Sequence, residues 1–399
     1  MNGHDVVVVG GRVAGAATAL LLARAGVRVA LVDRSRAGSD TLSTHGLMRA
    51  GVLQLSRWGL LDEVVAAGTP PIRSTRFHHA GGECVTVAIR DSAGVDALYA
   101  PRRHLLDGLL ADAAARAGAE VFHETTVTAL RRDERGRVRG VDAVDRAGRT
   151  IRLPASLTVG ADGVRSTVAT LTSAEIVRKG RSRSAMFYRY VSDLPADGYQ
   201  WAYGAGSAAG LIPTNDGETC VFVGTSPRRM RELRRHGVAH AFTALLARAA
   251  PALADLVAAA TPVGRMHGWA GVPGYVRRSW GPGWALVGDA GYFKDPITTH
   301  GMTDAMRDAE LLVREILRVH AGELTEALAG ARYEATRDHL SSRLYAVTED
   351  VAAYDWDTDR VGILLRQVSS AMAAEVDYLR TLPAPLEHAF ERDRLARNY

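Results

Sequence analysis

"VVVGGRVAG", residues 7–15, is an apolar run too short for a helix; it meets a pair of glycines and then an alanine-rich helical pattern, AATALLLARAG, over 16–26. This spacing reads as a strand, a tight turn and a helix ended by Gly26, after which a second apolar run, VRVALVD, closes at Asp33. The unit has the length of about thirty residues that a strand–helix–strand crossover needs. A G-x-G-x-x-G dinucleotide fingerprint finds Gly10 and Gly15 in place, but Arg12 stands where the second glycine belongs. Gly10 supplies the turn, Gly15 lets the helix pack close, and Asp33 lies where a carboxylate takes ribose hydroxyls. The middle glycine normally lets backbone approach a pyrophosphate. A side chain is tolerated there while φ stays negative, and an arginine then brings a guanidinium within reach of phosphate. The turn is therefore read as a nucleotide site in which Arg12 touches the ligand, with Val13 and Ala14 at the helix start and Arg34 beside the carboxylate.

The 399 residues are 47% hydrophobic and 23% charged, the balance of an ordinary globular enzyme with a large core. The net charge is +5, yet Lys179 and Lys294 are the only lysines and the arginines are scattered, so no nucleic-acid surface is expected. Even the densest basic run, RRMRELRRHG at 228–237, has the spacing of a solvated helix face. No stretch approaches the roughly 18 apolar residues of a membrane span, and the chain enters a strand at Val6 without a basic leader, so a cytoplasmic, membrane-free protein is expected. Cys84 and Cys220 lie in apolar strand-like runs, where both are expected to be buried and reduced. The adjacent His78 and His79 point to opposite faces of a strand, and the sequence carries no zinc spacing, so no metal is expected.

Further along, a helix is expected over 46–68, alternating strands from Arg73 to Ile89, a helix over 103–117 and a strand near 120–123. Residues 126–154 read as a three-stranded antiparallel excursion turning at DERGRV and DRAGRT. From 184 to 226 most segments look like strands separated by Gly, Asn and Asp turns. A helical stretch (238–260), a strand near 263–271, the buried strand WALVGDA and then helices over most of 301–380 complete the chain.

Two more strand-end loops join the first. In VGADGVRST (159–167), Asp162 and Gly163 form a tight turn, and in ALVGDAGYFKDPITTHGMTDAMRDAELL (285–312) Gly288-Asp289 end a strand, Pro296 breaks the chain, and Gly301-Met302 open a long helix. A helix N-terminus suits an anion. Together, GGRVAG, RHLLD, GADG and GDAGYFKDPITTHGM resemble the single-component FAD-dependent aromatic hydroxylases, the group A flavoprotein monooxygenases, over about residues 1–330. The resemblance implies FAD held by Gly10, Gly15 and Asp33 at its ADP part, by Arg103 at the pyrophosphate, by Asp162, and by Asp289, Pro296, Gly301 and Met302 along the ribityl chain and flavin. NADPH or NADH is implied as electron donor. Thr299-His300, Thr303 and Tyr292 depart from the residues common in that family.

The implied architecture is α/β: a Rossmann-like FAD-binding domain (1–72, 101–175 and 272–335) interleaved with an antiparallel-sheet substrate domain (73–100 and 176–271), plus C-terminal helices (336–399). The implied reaction places one atom of O2 in a small aromatic or polyketide-like metabolite. Flavin carries that chemistry while protein orients and excludes water. Tyr188, Tyr190, Trp201, Tyr203, Leu211 and Pro213 alternate along the sheet and are expected to line the substrate pocket. His45 and His300, in loops flanking the flavin, are the candidates for proton handling. Two alternatives stay open: a reductase of C=C bonds of the geranylgeranyl type, whose signature survives here only as Pro213, and a non-enzymatic FAD-binding protein. The Trp-x-Trp-x-Ile-Pro signature of halogenases is absent. The last segment is read as helical, serving as a cap over the site, a dimer surface or simple packing.

Overall fold

A computed structural model describes residues 3–79 and 83–384; residues 385–399 of the expected C-terminal segment lie outside it, as does the His79 side chain. The first strand, His4–Val9, pairs in parallel with Val29–Val32 on one side and with the end of the long strand Thr150–Gly160 on the other. Trp284–Leu286 and Glu120–Phe122 extend this parallel sheet at its two ends. Strands buried on both faces need continuous apolar runs, and Val6, Val7 and Val8 are fully buried. The helix Val13–Arg24 lies between this sheet and the helices Arg103–Arg116 and Gly301–His320, so it is buried almost all round. Leu20 and Leu22, with no exposed surface, contribute roughly 2 kcal/mol each.

The strand Thr150–Gly160 serves two structures. Its first half closes the antiparallel excursion with Thr126–Arg132 and Val138–Val144, and its second half lies in the parallel sheet.

The second sheet runs, in spatial order, Thr261–Trp269, Ala185–Ser192, Thr219–Thr225, Ser207–Pro213, Tyr199–Gly204, Ser74–His79 and Cys84–Ala88. All its pairings are antiparallel except Tyr199–Gly204 with Ser74–His79. One face packs Phe187, Ala202, Leu211 and Val223 against helices Val238–Ala249 and Pro251–Ala259. The other, with Tyr188, Tyr190, Tyr199, Trp201, Tyr203 and Phe222, looks toward the C-terminal helices Glu326–Ala352 and Thr358–Thr381.

Three local expectations change. The helix over 46–68 is two helices, Arg49–Arg57 and Leu61–Ala66, broken where Gly59 takes φ +66°. Pro251 likewise divides the stretch 238–260. Cys84 is exposed because Cys84–Ala88 is an edge strand whose residues are all exposed; Cys220, in a central strand, is buried. No helix among the described residues is long and apolar enough to cross a membrane.

Candidate functional site

Gly10 ends the first strand at φ +103°, and a Cβ there would lie 2.5 Å from the carbonyl oxygen of Ala161. A Cβ on Gly15 would fall 1.7 Å from the carbonyl oxygen of Gly10. The first loop, the first helix turn and the Asp162 loop are thus in backbone contact, and only hydrogen fits between them. Arg12 caps the helix with φ −84° and makes no side-chain cap, so the N–H groups of Val13, Ala14 and Gly15 lack intrahelical acceptors at the positive end of the dipole. Asp33 is held at its strand end by the N–H groups of Gly11 and Ser35, both at 2.6 Å. Arg34 is exposed beside it.

The structure takes Arg12 somewhere the sequence does not foresee. Its Nη1 donates to the Ser39 carbonyl at 2.6 Å and to Asp107 Oδ2 at 3.0 Å. Arg103 donates to the same carboxylate through Nε and Nη2 at 3.2 and 3.1 Å. Two guanidiniums therefore share one buried carboxylate, leaving an excess positive charge beside the unsatisfied helix N-terminus. That combination fits a pyrophosphate. Arg12 thus braces Asp107 and the 35–39 loop from its place in the nucleotide turn.

The third loop closes on the first: a Cβ on Gly288, itself at φ +58°, would meet Ala14 Cβ at 2.8 Å. Asp162 accepts from Ser166 Oγ at 2.5 Å and from the Thr167 N–H at 2.6 Å, which folds its loop onto the short helix Thr167–Leu171. Burial raises its pKa. Asp289 has no hydrogen-bond partner for its carboxyl among the described residues; burial lifts its pKa to about 6, against the pull of Lys294 and Arg103. After Pro296, Thr299 takes φ +51° and His300 caps Gly301–His320 without a side-chain bond, so a second helix N-terminus keeps its first N–H groups unsatisfied; Gly301 there is exposed and Met302 buried. Three loops distant in sequence thus present backbone donors and two carboxylates to one region. Gly10–Gly15, Asp33, Arg103, Asp289 and the Gly301 helix would hold FAD there, which when bound supplies two-electron redox chemistry.

Beneath this loop lies a buried ion network on which the sequence reading is silent. Lys294 pairs with Asp304; Arg307 binds Asp304 at 3.0 Å, Asp308 at 2.7 Å and Glu375 at 2.8 Å; and Glu375 also binds His300. Burial lowers the Lys294 pKa to about 7. Although His300, Asp304 and Glu375 place donor atoms within 4.8 Å of one another, as metal ligands do, Arg307 and Lys294 already neutralise these carboxylates.

His45 lies at φ +44° with its ring stacked 5.6 Å from that of Tyr190, a ring that also meets the Arg102 guanidinium at 3.8 Å and Tyr188 edge-on at 5.9 Å. Its Nδ1 is 3.2 Å from the Ser43 carbonyl and 3.3 Å from the Tyr190 hydroxyl. Burial first, and the Arg102 charge second, push its pKa from 6.5 to about 3. The unfolded chain therefore takes up this proton first. Stability from His45 is full above pH 6.5 and is lost as pH falls toward 3, at roughly 1.4 kcal/mol per pH unit, or about 2 kcal/mol by pH 5. His45→Asn is expected to flatten that slope by the same amount; urea midpoints at pH 5 and 7 measure it, and equal slopes in both proteins would refute the assignment.

Between the second sheet, the 297–300 loop and the helix Thr358–Thr381 lies a cavity of about 650 Å³. Trp201 and Tyr203 line it, joined by Tyr199, Phe77, Met48 and, from the C-terminal helix, Leu365 and Met372. His300 belongs to its wall. Leu211 is on the wrong face: it pairs with Gln200 across the hairpin while Trp201 pairs with Gly210, so Leu211 packs under the helices Val238–Ala249 and Pro251–Ala259, and Pro213, two residues on, shares its side. Tyr188 and Tyr190 share the face of Trp201 but stand three strands away, where the Tyr188 ring stacks on His267 at 4.8 Å.

Glycine-tight strand ends of the first sheet and a charge-poised anion cradle fit a dinucleotide cofactor such as FAD, and the 297–300 loop joins that region to an aromatic cavity against the second sheet. The chain belongs to the FAD binding domain family, which matches residues 3–348. It is 31% identical over 314 residues to the 6-methylpretetramide 4-monooxygenase of Streptomyces rimosus, covering 76% of this chain and 73% of that protein. It is 27% identical to the digeranylgeranylglycerophospholipid reductase of Methanocella arvoryzae, covering 90% of each. Among solved structures, Pseudomonas aeruginosa PqsL in complex with 2-aminobenzoylacetate shares the fold, with a TM-score of 0.76 at 24% identity over 93% of this chain and all of that one (100%).

Proposed function

We propose that this FAD-dependent oxidoreductase is a monooxygenase that hydroxylates a small, flat, aromatic or polyketide-like metabolite with O2 and NADPH or NADH. The balance is substrate, O2, NAD(P)H and a proton giving hydroxylated product, water and NAD(P)⁺. The observation that carries the reading is the cavity: Tyr199, Trp201, Tyr203 and Phe77 give it aromatic walls that match a flat ring, and the 297–300 loop, where the flavin-side helix begins, forms its floor. The monooxygenase from Streptomyces rimosus supports the same choice. The residues' part is to bind, orient and exclude water: apolar side chains from the C-terminal helix close the cavity, and the ion network beneath Thr299 and His300 holds the loop rigid.

A second reading, reduction of a prenyl C=C bond, is favoured by the likeness to the Methanocella arvoryzae reductase along nearly the whole chain. Oxygen separates them. With a polycyclic phenol as substrate, NAD(P)H oxidation is expected to consume oxygen in equal amount, to stop under anaerobic conditions, and to give a product heavier by one oxygen atom. Turnover that persists without oxygen and adds two hydrogens would overturn the monooxygenase reading.

A further inference from the structure

The helix Thr358–Thr381 has two working faces. Val361, Leu364, Ala371, Glu375 and Leu379 are buried in the core, whereas Gly362, Leu365, Arg366, Ser369, Met372 and Ala373 follow at helical spacing along the cavity wall. Of these, Arg366, Ser369 and Ala373 are exposed, as are Val85, Val87 and Ala88 of the edge strand that also lines the cavity. The cavity therefore opens to solvent between this helix and that strand.

Beside His300, which burial holds neutral, the described lining has three charged side chains: Arg49, Arg366 and Asp377. Asp377 has Arg380 at 3.9 Å. Arg49 donates to the carbonyls of Arg90 at 2.8 Å, Ser92 and Val95, which hold its guanidinium without neutralising it. Arg366 has no hydrogen bond or ion pair among the described residues. A Cβ built on Gly362 would meet Arg366 Nη1 at 3.7 Å and nothing else within 4 Å. The guanidinium thus lies back along the cavity stripe, over a glycine that is unfavourable inside a helix but leaves the space beside the charge clear. Two cations whose charge no carboxylate takes up stand in the wall of a mainly apolar cavity, one of them at its mouth with all its donors free. The complement of that arrangement is an anion joined to a ring.

We infer that the ligand of this cavity is an aromatic acid, whose rings fill the apolar interior and whose carboxylate is held at the mouth by Arg366, the Arg49 charge adding to the same potential. This rests on the cavity being the substrate site, and it narrows the metabolite to one that carries an ionised carboxyl group. A guanidinium binds a carboxylate through two parallel N–H···O bonds. At the mouth the pair stays in contact with water, so its worth is that of a partly solvated ion pair, up to about fivefold in affinity, and salt screens it.

The FAD-loaded protein is titrated calorimetrically with 2-naphthoate and with 2-naphthamide, a neutral analogue of nearly the same shape, at neutral pH. The naphthoate is expected to bind about fivefold more tightly at low salt, and the preference to shrink at high salt. Arg366→Gln is expected to bring the two affinities together, Arg366→Lys to keep most of the preference, and Arg366→Glu to reverse it. The side chain is exposed, so all three variants are expected to fold, which urea midpoints check. Equal binding of the two probes by the wild type would overturn the inference and leave the cavity reading standing. A preference retained in Arg366→Gln would overturn the assignment of the carboxylate to this residue. If the wild type binds neither probe, the cavity reading fails and takes this inference with it; the oxygen balance tests the reaction separately.

Discussion

Gly15→Ala is expected to abolish FAD binding, weakening it more than a hundredfold, and to destabilise the apoprotein by about 3 kcal/mol, the upper end of overpacking costs. The added Cβ would sit 1.7 Å from the Gly10 carbonyl oxygen and 3.0 Å from Ala161 Cβ. A flexible side chain would yield to such a contact, but backbone will not. Gly10 has no room to retreat, because its own Cα lies against the Ala161–Asp162 peptide on the neighbouring strand end. Relief therefore requires the helix Val13–Arg24 to move outward along the sheet, against the helices Arg103–Arg116 and Gly301–His320 that bury it. That movement carries away the N–H groups of Val13 and Ala14 and opens the contact with Gly288, so the anion cradle and the third loop separate together. The control is Gly108→Ala, in the helix Arg103–Arg116, where a Cβ meets nothing within 4 Å. That substitution is expected to be neutral or to stabilise by about 0.5–1 kcal/mol through helix propensity alone. FAD titration by fluorescence quenching and urea unfolding measure both variants. Normal FAD affinity in Gly15→Ala would break the claim that this turn is the nucleotide cradle.

What a sequence makes legible depends on whether the physics is local. Gly10, Gly15 and Asp33 sit in a unit of thirty residues whose spacing constrains backbone directly, and the GD loop with Pro296 and Gly301 is constrained in the same way. Leu211 shows where local alternation ends. The hairpin turn at Ala205-Gly206 pairs Trp201 with Gly210, so face membership changes by one residue between adjacent strands, and the site-facing positions of Ser207–Pro213 are Ala208, Gly210 and Ile212. Ala208 and Gly210 are small, and a Cβ on Gly210 would strike Phe222 at 2.3 Å. Cys84 is misjudged for a similar reason, since an apolar run does not say whether its strand is central or at an edge.

Asp107 and Glu375 are harder, because Arg12, Arg307 and His300, which pair with them, come from elements remote in sequence. Yet each leaves a trace. Asp107 lies four residues after Arg103 on one helix face, and Glu375 occupies an interior position of the 364, 368, 371, 379 stripe, where a charge is anomalous unless paired. A buried-stripe carboxylate is the signal that locates the closing helix over the site. The spacing marks the anomaly; only the fold supplies Arg307 and His300.

Asp107→Asn is expected to cost the apoprotein about 3 kcal/mol, and the FAD-loaded protein distinctly less. The substitution conserves shape and removes one charge, so it isolates electrostatics. In the wild type a carboxylate only 5% exposed takes bonds from both Arg12 and Arg103. Without its charge two partly buried guanidiniums converge on a neutral amide, and removing one partner of a buried ion pair costs about 3–5 kcal/mol, with the lower figure fitting groups still touched by water. Arg12 keeps the Ser39 carbonyl at 2.6 Å, so the loop does not fly apart; the penalty is uncompensated charge. A pyrophosphate brings its negative charge to the same place. At an effective dielectric near 20, one added unit charge about 5 Å away is worth roughly 3 kcal/mol, enough to offset most of the loss. FAD should therefore raise the stability of Asp107→Asn by more than it raises that of the wild type, and high salt should narrow the gap by screening the exposed part of the repulsion. Urea unfolding of both proteins with and without saturating FAD, at low and high ionic strength, measures these differences. If FAD stabilises the two proteins equally, the arginine pair does not face the phosphates, and Asp107 is a helix-packing residue whose charge the cofactor never meets.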